Sequence, residues 1–303
     1  MNEHEHFLSL IREAAGGTAG GCPPQLPEPQ APPLPAEWEA LTSPSLRRKY
    51  KAVLFDVYGT LFSSAAGDIS VHAADVTARS QALALDRLAA LYDTRLCGAE
   101  LIAFFRGKVG EIHRRSREEG IRWPEVQNDL IWSDFLIERG ITGNGQELAL
   151  RYELAVNPVS VMPGAGEAIA ALRQSGCVLG IVSNAQFYTP LLFEALLGGT
   201  PREIGFEQDL VIYSYIYGVS KPSPRLYHAA AENLENRGIE SGECAFVGND
   251  MLSDIYGAQN AGFRGVLFAG DSRSLRFHED NELVRGVRPF RIIRKLRHLY
   301  SDC

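Results

Sequence analysis

The sequence predicts an α/β protein built on a doubly wound parallel sheet with a helical insertion. Short apolar runs rich in β-branched residues alternate with helix-like stretches through the second half of the chain, a pattern typical of parallel sheets. Between the first strand and that half, roughly a hundred residues have helical periodicity and no comparable strand signal. The predicted strands are the run that ends at Asp56 and the stretches at 177–182, 210–214, 244–247 and 264–268.

The first strand is followed by a polar turn. Asp56 ends the apolar run, Gly59 follows three residues later, and Thr60 adds a hydroxyl beside it. Open α/β sheets bind ligands outside the carboxyl ends of their strands, and a glycine lets the backbone approach a ligand closely. An aspartate at the end of a strand is a weak signal when taken alone, so its interpretation depends on the other strands.

The helical insertion is marked by apolar residues at three- and four-residue steps, as on one buried helix face. Three helices are expected there. Their apolar positions are Leu85, Leu88 and Tyr92 in the first, Leu101, Phe104, Phe105, Val109 and Ile112 in the second, and Leu130, Ile131, Phe135 and Leu136 in the third.

Three further polar clusters lie downstream in matching positions. Ser183 and Asn184 end one apolar run, and Asp250 and Asp254 follow another, while Lys221 precedes a helix-like stretch. Because the carboxyl ends of parallel strands share one edge of a sheet, we expect these side chains to converge with Asp56.

The ordered set Asp56, Ser183, Lys221 and the pair Asp250 and Asp254 resembles the haloacid dehalogenase superfamily of aspartate-nucleophile hydrolases. The resemblance covers about residues 51–270. It implies a three-layer α/β core with an inserted helical cap, which would close over the catalytic edge and select substrates. An unrelated doubly wound protein with these residues by chance is the alternative, and four motifs in order argue against it.

The resemblance also implies roles for individual residues. Asp56 is expected to be the nucleophile, and Lys221 to offset its repulsion from an anionic substrate. Ser183 and Asn184 are expected to donate hydrogen bonds to the substrate. Residues Gly59, Thr60 and Tyr227 are the candidates for further substrate contacts.

A magnesium site is implied in the phosphatase branch of the family. Its expected ligands are Asp56, the main-chain carbonyl of Tyr58, and Asp250, with Asp254 holding a metal-bound water or Lys221. These are the hard oxygen donors that Mg²⁺ prefers. In the alternative, Asp250 and Asp254 cap the helix that follows them.

Tyr58 departs from the phosphatase pattern, and two classes of reaction therefore stay open. Most family phosphatases carry a second aspartate there as general acid and base, whereas the Asp-x-Tyr-Gly-Thr-Leu form resembles 2-haloacid dehalogenases. Tyr227 fits that branch too, although an aromatic residue there also packs in phosphatases. The fourth motif with Asp250 favours a phosphatase.

We therefore expect a magnesium-dependent phosphatase that acts on a small phosphorylated metabolite, with Tyr58 among the catalytic positions. A 2-haloacid dehalogenase-type hydrolase is the alternative. A third interpretation is a catalytically weak member of the family that binds a ligand or a partner.

Composition bears on nucleic-acid binding, on the cellular compartment and on membrane spans. The chain has 303 residues, of which 45% are hydrophobic, and a net charge of −7 that argues against nonspecific nucleic-acid binding. Its five scattered cysteines contain no Cys-x-x-Cys pair, so reduced thiols in a cytoplasmic protein are expected. The sequence has no run of about 18 apolar residues, and no membrane span is expected.

Both termini lie outside the resemblance. A short helix is expected at 7–14, and the proline-rich tract at 23–35 is interpreted as a stiff arm, anchored on the core by Trp38, or as a docking site for a partner, with the arm favoured. The tail from Arg285 is expected to be a basic amphipathic helix that packs its apolar side on its own domain, with contact to an anionic membrane or an acidic partner as the alternative. The expected boundaries are 1–49 for the arm, 50–63 with 160–270 for the core, 64–159 for the cap and 271–303 for the tail.

Overall fold

The computed structural model describes residues 2–16, 28–42, 50–64 and 79–300. A six-stranded parallel sheet has the order β5-β4-β1-β6-β7-β8, and a two-stranded antiparallel sheet pairs β2 with β3. The strands are β1 Ala52–Phe55, β2 Phe62–Ser64, β3 Val159–Val161, β4 Val178–Ser183, β5 Val211–Tyr213, β6 Cys244–Gly248, β7 Arg264–Phe268 and β8 Arg291–Ile293.

The helices surround the main sheet and form a separate group. They are α1 Glu3–Ala14, α2 Arg79–Tyr92, α3 Gly98–Glu118, α4 Asn128–Arg139, α5 Gly145–Val156, α6 Ala165–Gln174, α7 Thr189–Leu197, α8 Pro201–Ile204, α9 Ser214–Tyr217, α10 Pro224–Glu235 and α11 Gly257–Asn260. A π-helical turn spans Met251–Tyr256, and 3₁₀ turns include Ala36–Thr42 and Leu296–Leu299.

The central strands are buried because helices cover both faces of the sheet. All four residues of β1 are fully buried, as expected for an apolar strand in a parallel sheet. Val53 and Phe55 pack into one apolar cluster with α6 and α7, while Ala52 and Leu54 pack into another with α10. These layers confirm the predicted three-layer, doubly wound α/β fold.

The predicted cap is an all-helical unit with its own apolar core. Helices α2, α3 and α4 carry the three predicted apolar patterns, and α5 adds a fourth helix to the described part of this region. Phe105 stacks on Trp132 with ring centroids 5.5 Å apart, and Tyr152 lies 4.6 Å from the same indole ring. These residues are buried, so the cap has a hydrophobic core separate from that of the sheet.

The C-terminal tail differs from its prediction. The expected basic helix from Arg285 is wrong, because Arg291–Ile293 form β8 at the edge of the sheet and pair in parallel with β7. Ile292 and Ile293 are buried side by side, a consecutive pair that suits a strand covered on both faces. Part of the predicted tail therefore belongs to the core sheet.

The N-terminal segments pack on the core. Leu34, Trp38 and Leu41 lie against an apolar cluster that includes Ile292, and the Trp38 ring is 5.5 Å from the ring of Phe277. This agrees with an arm anchored by Trp38, while residues 23–27 of the proline-rich tract lie outside the described residues. The predicted helix at 7–14 is present as α1.

No helix in the described ranges is long and apolar enough to cross a membrane.

The placement of β8 predicts that the tail stabilises the whole core. Ile293→Ala removes a buried side chain and should lower the free energy of unfolding by about 2–5 kcal/mol, measured by urea denaturation. Lys295→Ala, at an exposed position two residues later, is the matched control and should be nearly neutral. Equal, small effects of both substitutions would contradict a structural role for this strand.

Candidate active site

Polar side chains from neighbouring strands meet at the carboxyl edge of the main sheet. Asp56 directly follows β1, and Ser183 is the last residue of the adjacent strand β4. The Ser183 hydroxyl donates to Asp56 Oδ1 at 3.0 Å, and Lys221 Nζ donates to the same oxygen at 2.6 Å. The predicted convergence of these three residues is present.

Lys221 lies between two buried carboxylates. Its Nζ atom is 2.6 Å from Asp56 Oδ1 and 2.6 Å from Asp254 Oδ1. Burial alone would lower the pKa of Lys221, but the charges of Asp254 and Asp56 raise the pKa above its ordinary value. The side chain is therefore a permanent cation beside Asp56. Asn184 fixes the backbone of Lys221, because the Lys221 N–H donates to Asn184 Oδ1 at 2.7 Å.

Asp254 is a partner of Lys221 and lies in the π-helical turn that follows β6. Its Oδ2 atom accepts a hydrogen bond from the Asp250 N–H at 2.9 Å, so both carboxylate oxygens are engaged. Burial raises the pKa of Asp254, and Lys221 opposes that shift. Of the roles expected for Asp254, the structure shows the contact with Lys221.

The turn after β1 brings Thr60 against the opposite side of Asp56. The Thr60 hydroxyl lies 2.9 Å from Asn249 Oδ1 and 3.4 Å from Asp56 Oδ2. Gly59 has φ +85°, and a Cβ atom there would lie 2.6 Å from the Ser274 Cβ and 2.7 Å from the Asn249 amide nitrogen. Glycine is thus required both by the backbone conformation and by the close packing of the turn.

Asp250 of the fourth motif makes contacts that its prediction as a metal ligand did not include. Asp250 caps the π-helical turn, because its Oδ1 accepts from the N–H groups of Leu252 and Ser253, and its Oδ2 lies 2.7 Å from His278 Nε2. Asn249, which the sequence reasoning missed, is the residue that reaches the site through Thr60. The available signal was its position directly after the last residue of β6, as Asp56 directly follows β1.

The expected metal-ligand set of Asp56, the Tyr58 carbonyl and Asp250 stays a prediction. The described residues contain no group of three or more His, Cys, Asp or Glu side chains that could hold a metal ion. The capping role of Asp250 and the pairing of Asp254 with Lys221 account for this. Asp56 Oδ2 and Asn249 Oδ1 lie near each other, because the Thr60 hydroxyl contacts both atoms.

Tyr58 is placed in the core, contrary to a direct catalytic role for its side chain. The ring is buried, and its hydroxyl lies 3.0 Å from the Thr189 hydroxyl at the start of α7. This hydroxyl pair joins the turn after Asp56 to the helix that follows Ser183. The position therefore has a packing function that the motif comparison did not predict.

Tyr227 is also a core residue, which corrects its prediction as a substrate contact. Its ring packs 5.3 Å from that of Phe246, and its hydroxyl donates to the Ser253 carbonyl in the π-helical turn. Burial and the nearby charge of Asp254 raise the pKa of Tyr227. Tyr227 therefore supports the turn that carries Asp254 and has no exposed surface for a substrate.

A buried aspartate held by a serine and a lysine at the edge of a doubly wound sheet fits the class of hydrolases that use a carboxylate nucleophile. The model of the family described as haloacid dehalogenase-like hydrolase matches residues 50–262. The chain belongs to this family and is a hydrolase of the haloacid dehalogenase superfamily.

Curated relatives include phosphatases, and solved structures share the fold. The chain is 28% identical over 246 residues to a phosphoglycolate phosphatase of Xylella fastidiosa (strain 9a5c), which covers 80% of this chain and 90% of the relative. It is 30% identical over 184 residues to a phosphoserine phosphatase of Thermus thermophilus. That alignment covers 60% of this chain and 63% of the relative. A 2-haloacid dehalogenase from Pseudomonas syringae pv. Tomato DC3000 is 19% identical, with TM-score 0.51 and coverage of 84% and 97%.

The contact between His278 and Asp250 predicts a pH-dependent contribution to stability. The hydrogen bond to Asp250 raises the pKa of His278 above 6.5. The stabilisation is therefore complete below the unfolded pKa and is lost as the pH rises through the higher folded pKa. His278→Asn should lower the free energy of unfolding by about 1 kcal/mol or less at pH about 5.5, and this difference should disappear near pH 9.

Asparagine is the suitable replacement because His278 has φ 52°, a left-handed conformation that asparagine tolerates. Urea denaturation at several pH values measures the difference. A difference that stays constant across this range would show that the ion pair does not contribute.

Proposed function

We propose that this protein is a magnesium-dependent phosphatase acting on a small phosphorylated metabolite. The observation that carries the proposal is the asymmetric environment of Asp56. Ser183 and Lys221 bind its Oδ1 atom, whereas Oδ2 has only the 3.4 Å contact from Thr60 among the site hydrogen bonds described above. The named activities of the phosphoglycolate and phosphoserine phosphatase relatives support this substrate class.

In the proposed reaction, Asp56 Oδ2 attacks the phosphorus atom of a phosphate monoester. A bond forms between this oxygen and phosphorus, the bond to the leaving oxygen breaks, and the released alkoxide takes a proton from water. A water molecule then attacks the aspartyl phosphate, releases inorganic phosphate and restores the carboxylate. Ser183 and Lys221 orient Asp56 for the first step, and Asn184 holds Lys221 in place.

Charge balance supports a further cation. One positive charge on Lys221 is shared by Asp56 and Asp254, and burial raises the pKa of Asp254 above its ordinary value. A phosphate dianion approaching this group is repelled, by about 4 kcal/mol for two like unit charges 4 Å apart at an effective dielectric constant near 20. A divalent cation would reverse the sign of the local charge.

The residues present fit magnesium, with a different donor set from the predicted one. We propose that Asp56 and Asn249 hold the ion, together with the main-chain carbonyl of Tyr58 that the family resemblance implies. Mg²⁺ is commonly held by one or two carboxylates with waters and substrate phosphate oxygens. When bound, it would neutralise charge on the transferred phosphoryl group. Asp250 and Asp254 are not part of this set.

A dehalogenase is the second candidate, and one observation favours it. Asn249 stands where an acid would be expected in a metal-dependent site, and family dehalogenases, which need no metal, tend to have serine and asparagine in this motif. Tyr58 is consistent with that branch as well. The fold shared with a 2-haloacid dehalogenase adds no argument about the reaction, because the two chains are only 19% identical.

A paired assay separates the candidates. Purified protein is incubated with p-nitrophenyl phosphate or with 2-chloropropionate, each with magnesium or with EDTA. We expect phosphate release that requires magnesium and that Asp56→Asn abolishes, because the nucleophile is lost. Chloride release that is insensitive to EDTA would instead establish the dehalogenase. No turnover of either substrate, with wild type equal to Asp56→Asn, would favour a ligand- or partner-binding protein.

The assignment of Asn249 to the metal predicts a gain of affinity on adding charge. Asn249→Asp should tighten magnesium binding by about tenfold or more, because affinity rises with the charge of the ligands. Isothermal titration calorimetry measures the dissociation constant without any substrate. Asp250→Asn is the matched control one position away, and it should leave the affinity nearly unchanged. The opposite ranking would restore Asp250 as the ligand.

We also propose a cytoplasmic location. Cys97, Cys177 and Cys244 are free thiols in the described residues, which agrees with a reducing compartment.

A further inference from the structure

The cap meets the catalytic edge through residues 123–128, here called the cap segment. Its first half runs against residues 218–220, which directly precede Lys221. The Ser220 N–H donates to the Trp123 carbonyl at 2.9 Å, and the Glu125 N–H donates to the Gly218 carbonyl at 3.3 Å. The cap segment therefore contacts the loop that carries the catalytic lysine.

Gln186 binds the second half of the cap segment. This residue lies two positions after Asn184 and is fully buried. Its Nε2 donates to the Val126 carbonyl at 2.9 Å, and its Oε1 accepts from the Asn128 N–H at 2.9 Å. Asn128 is the first residue of α4, so this bond also satisfies one of the N–H groups that a helix start leaves without an intrahelical partner.

Glu125 adds a second buried contact from the cap to the same edge. Its Oε2 accepts from the Ser214 hydroxyl at 2.6 Å, and its Oε1 accepts from the Val126 N–H at 2.8 Å. The Ser214 Oγ in turn accepts from the Ala185 N–H at 2.9 Å. The loop after Ser183 and Asn184 is thus tied to the cap segment through both Ala185 and Gln186.

We propose that Gln186 is a positioning residue that holds the cap segment closed over Asp56, Ser183 and Lys221, and that this closure limits which acceptors reach the phosphorylated Asp56. The inference rests on the proposed function. Lifting the cap segment would break both bonds of the Gln186 amide. Because unpaired buried polar groups are costly, the amide favours the closed arrangement. Its single donor and single acceptor contacts also fix the position of the segment.

Hydrogen exchange tests the holding role directly. In Gln186→Ala, the amide of Asn128 and its neighbours in the cap segment should exchange about tenfold faster or more, while strands β1 and β6 should stay protected. Gln127→Ala is the matched control, because Gln127 makes an exposed 3.3 Å bond from the same segment to the Tyr215 carbonyl. It should leave exchange of the segment nearly unchanged.

A product analysis tests access to the phosphoenzyme. Hydrolysis of p-nitrophenyl phosphate is run in the presence of methanol, which competes with water. The methanol oxygen attacks the phosphorus of the aspartyl phosphate, Asp56 leaves as a carboxylate, and the methanol proton passes to water. The ratio of methyl phosphate to inorganic phosphate should rise about threefold or more in Gln186→Ala. It should stay at the wild-type value in Gln127→Ala.

Each outcome bears on the proposal. Unchanged exchange of the cap segment in Gln186→Ala would overturn it, and so would equal acceleration throughout the sheet, which would make Gln186 a general determinant of folding. Faster exchange with an unchanged product ratio would overturn the role in acceptor access. If Gln186→Ala does not fold, Gln186→Glu serves instead, because it keeps the acceptor for Asn128 and loses the donor to Val126. If wild type releases no phosphate, the proposed function fails, and exchange alone decides the holding role.

Discussion

The position of the Lys221 ammonium between Asp56 and Asp254 is the constraint on which the site depends. Without the lysine, two buried carboxylates so close together would be strongly destabilising, since burial penalises the charged form. The lysine reduces this cost and binds one oxygen of Asp56, which leaves the other for the proposed attack on phosphorus. The elements that carry Ser183, Asn184, Tyr227 and Asp254 all act on this group, either by binding it or by supporting its partners.

The sequence was sufficient to predict the layers of the fold and the convergence of the first three site residues on one edge of the sheet. Asp56, Ser183 and Lys221 could be predicted because each lies beside the end of an apolar run or the start of a helix, and parallel strands bring those ends together. The strand β8 could not be recognised, because its basic neighbours have a spacing that also suits a helix surface. Its Ile292 and Ile293 pair is too short a signal to decide between the two structures.

The different contacts of the acidic and amide side chains in the fourth motif have a local cause. Asn249, Asp250 and Asp254 all lie in the short segment that directly follows β6, and sequence alone does not show which side chain points toward Asp56. Asp250 is at the start of a helical turn, where a carboxylate gains two hydrogen bonds from backbone N–H groups, as N-cap residues do. Its acidic side chain is therefore used for capping, and the amide of Asn249 takes the position nearest to Thr60.

Tyr58 connects the turn after Asp56 to the residue that binds the cap segment. Its hydroxyl lies against that of Thr189, which also accepts a hydrogen bond from the Gln186 N–H at 3.2 Å. The turn after the nucleophile is thereby linked through two side chains to the residue that binds the cap segment. An aspartate side chain is shorter than that of tyrosine and would not make this contact with Thr189 from the same backbone. The tyrosine thus provides a contact that links the turn after Asp56, through Thr189, to the residue that binds the cap segment.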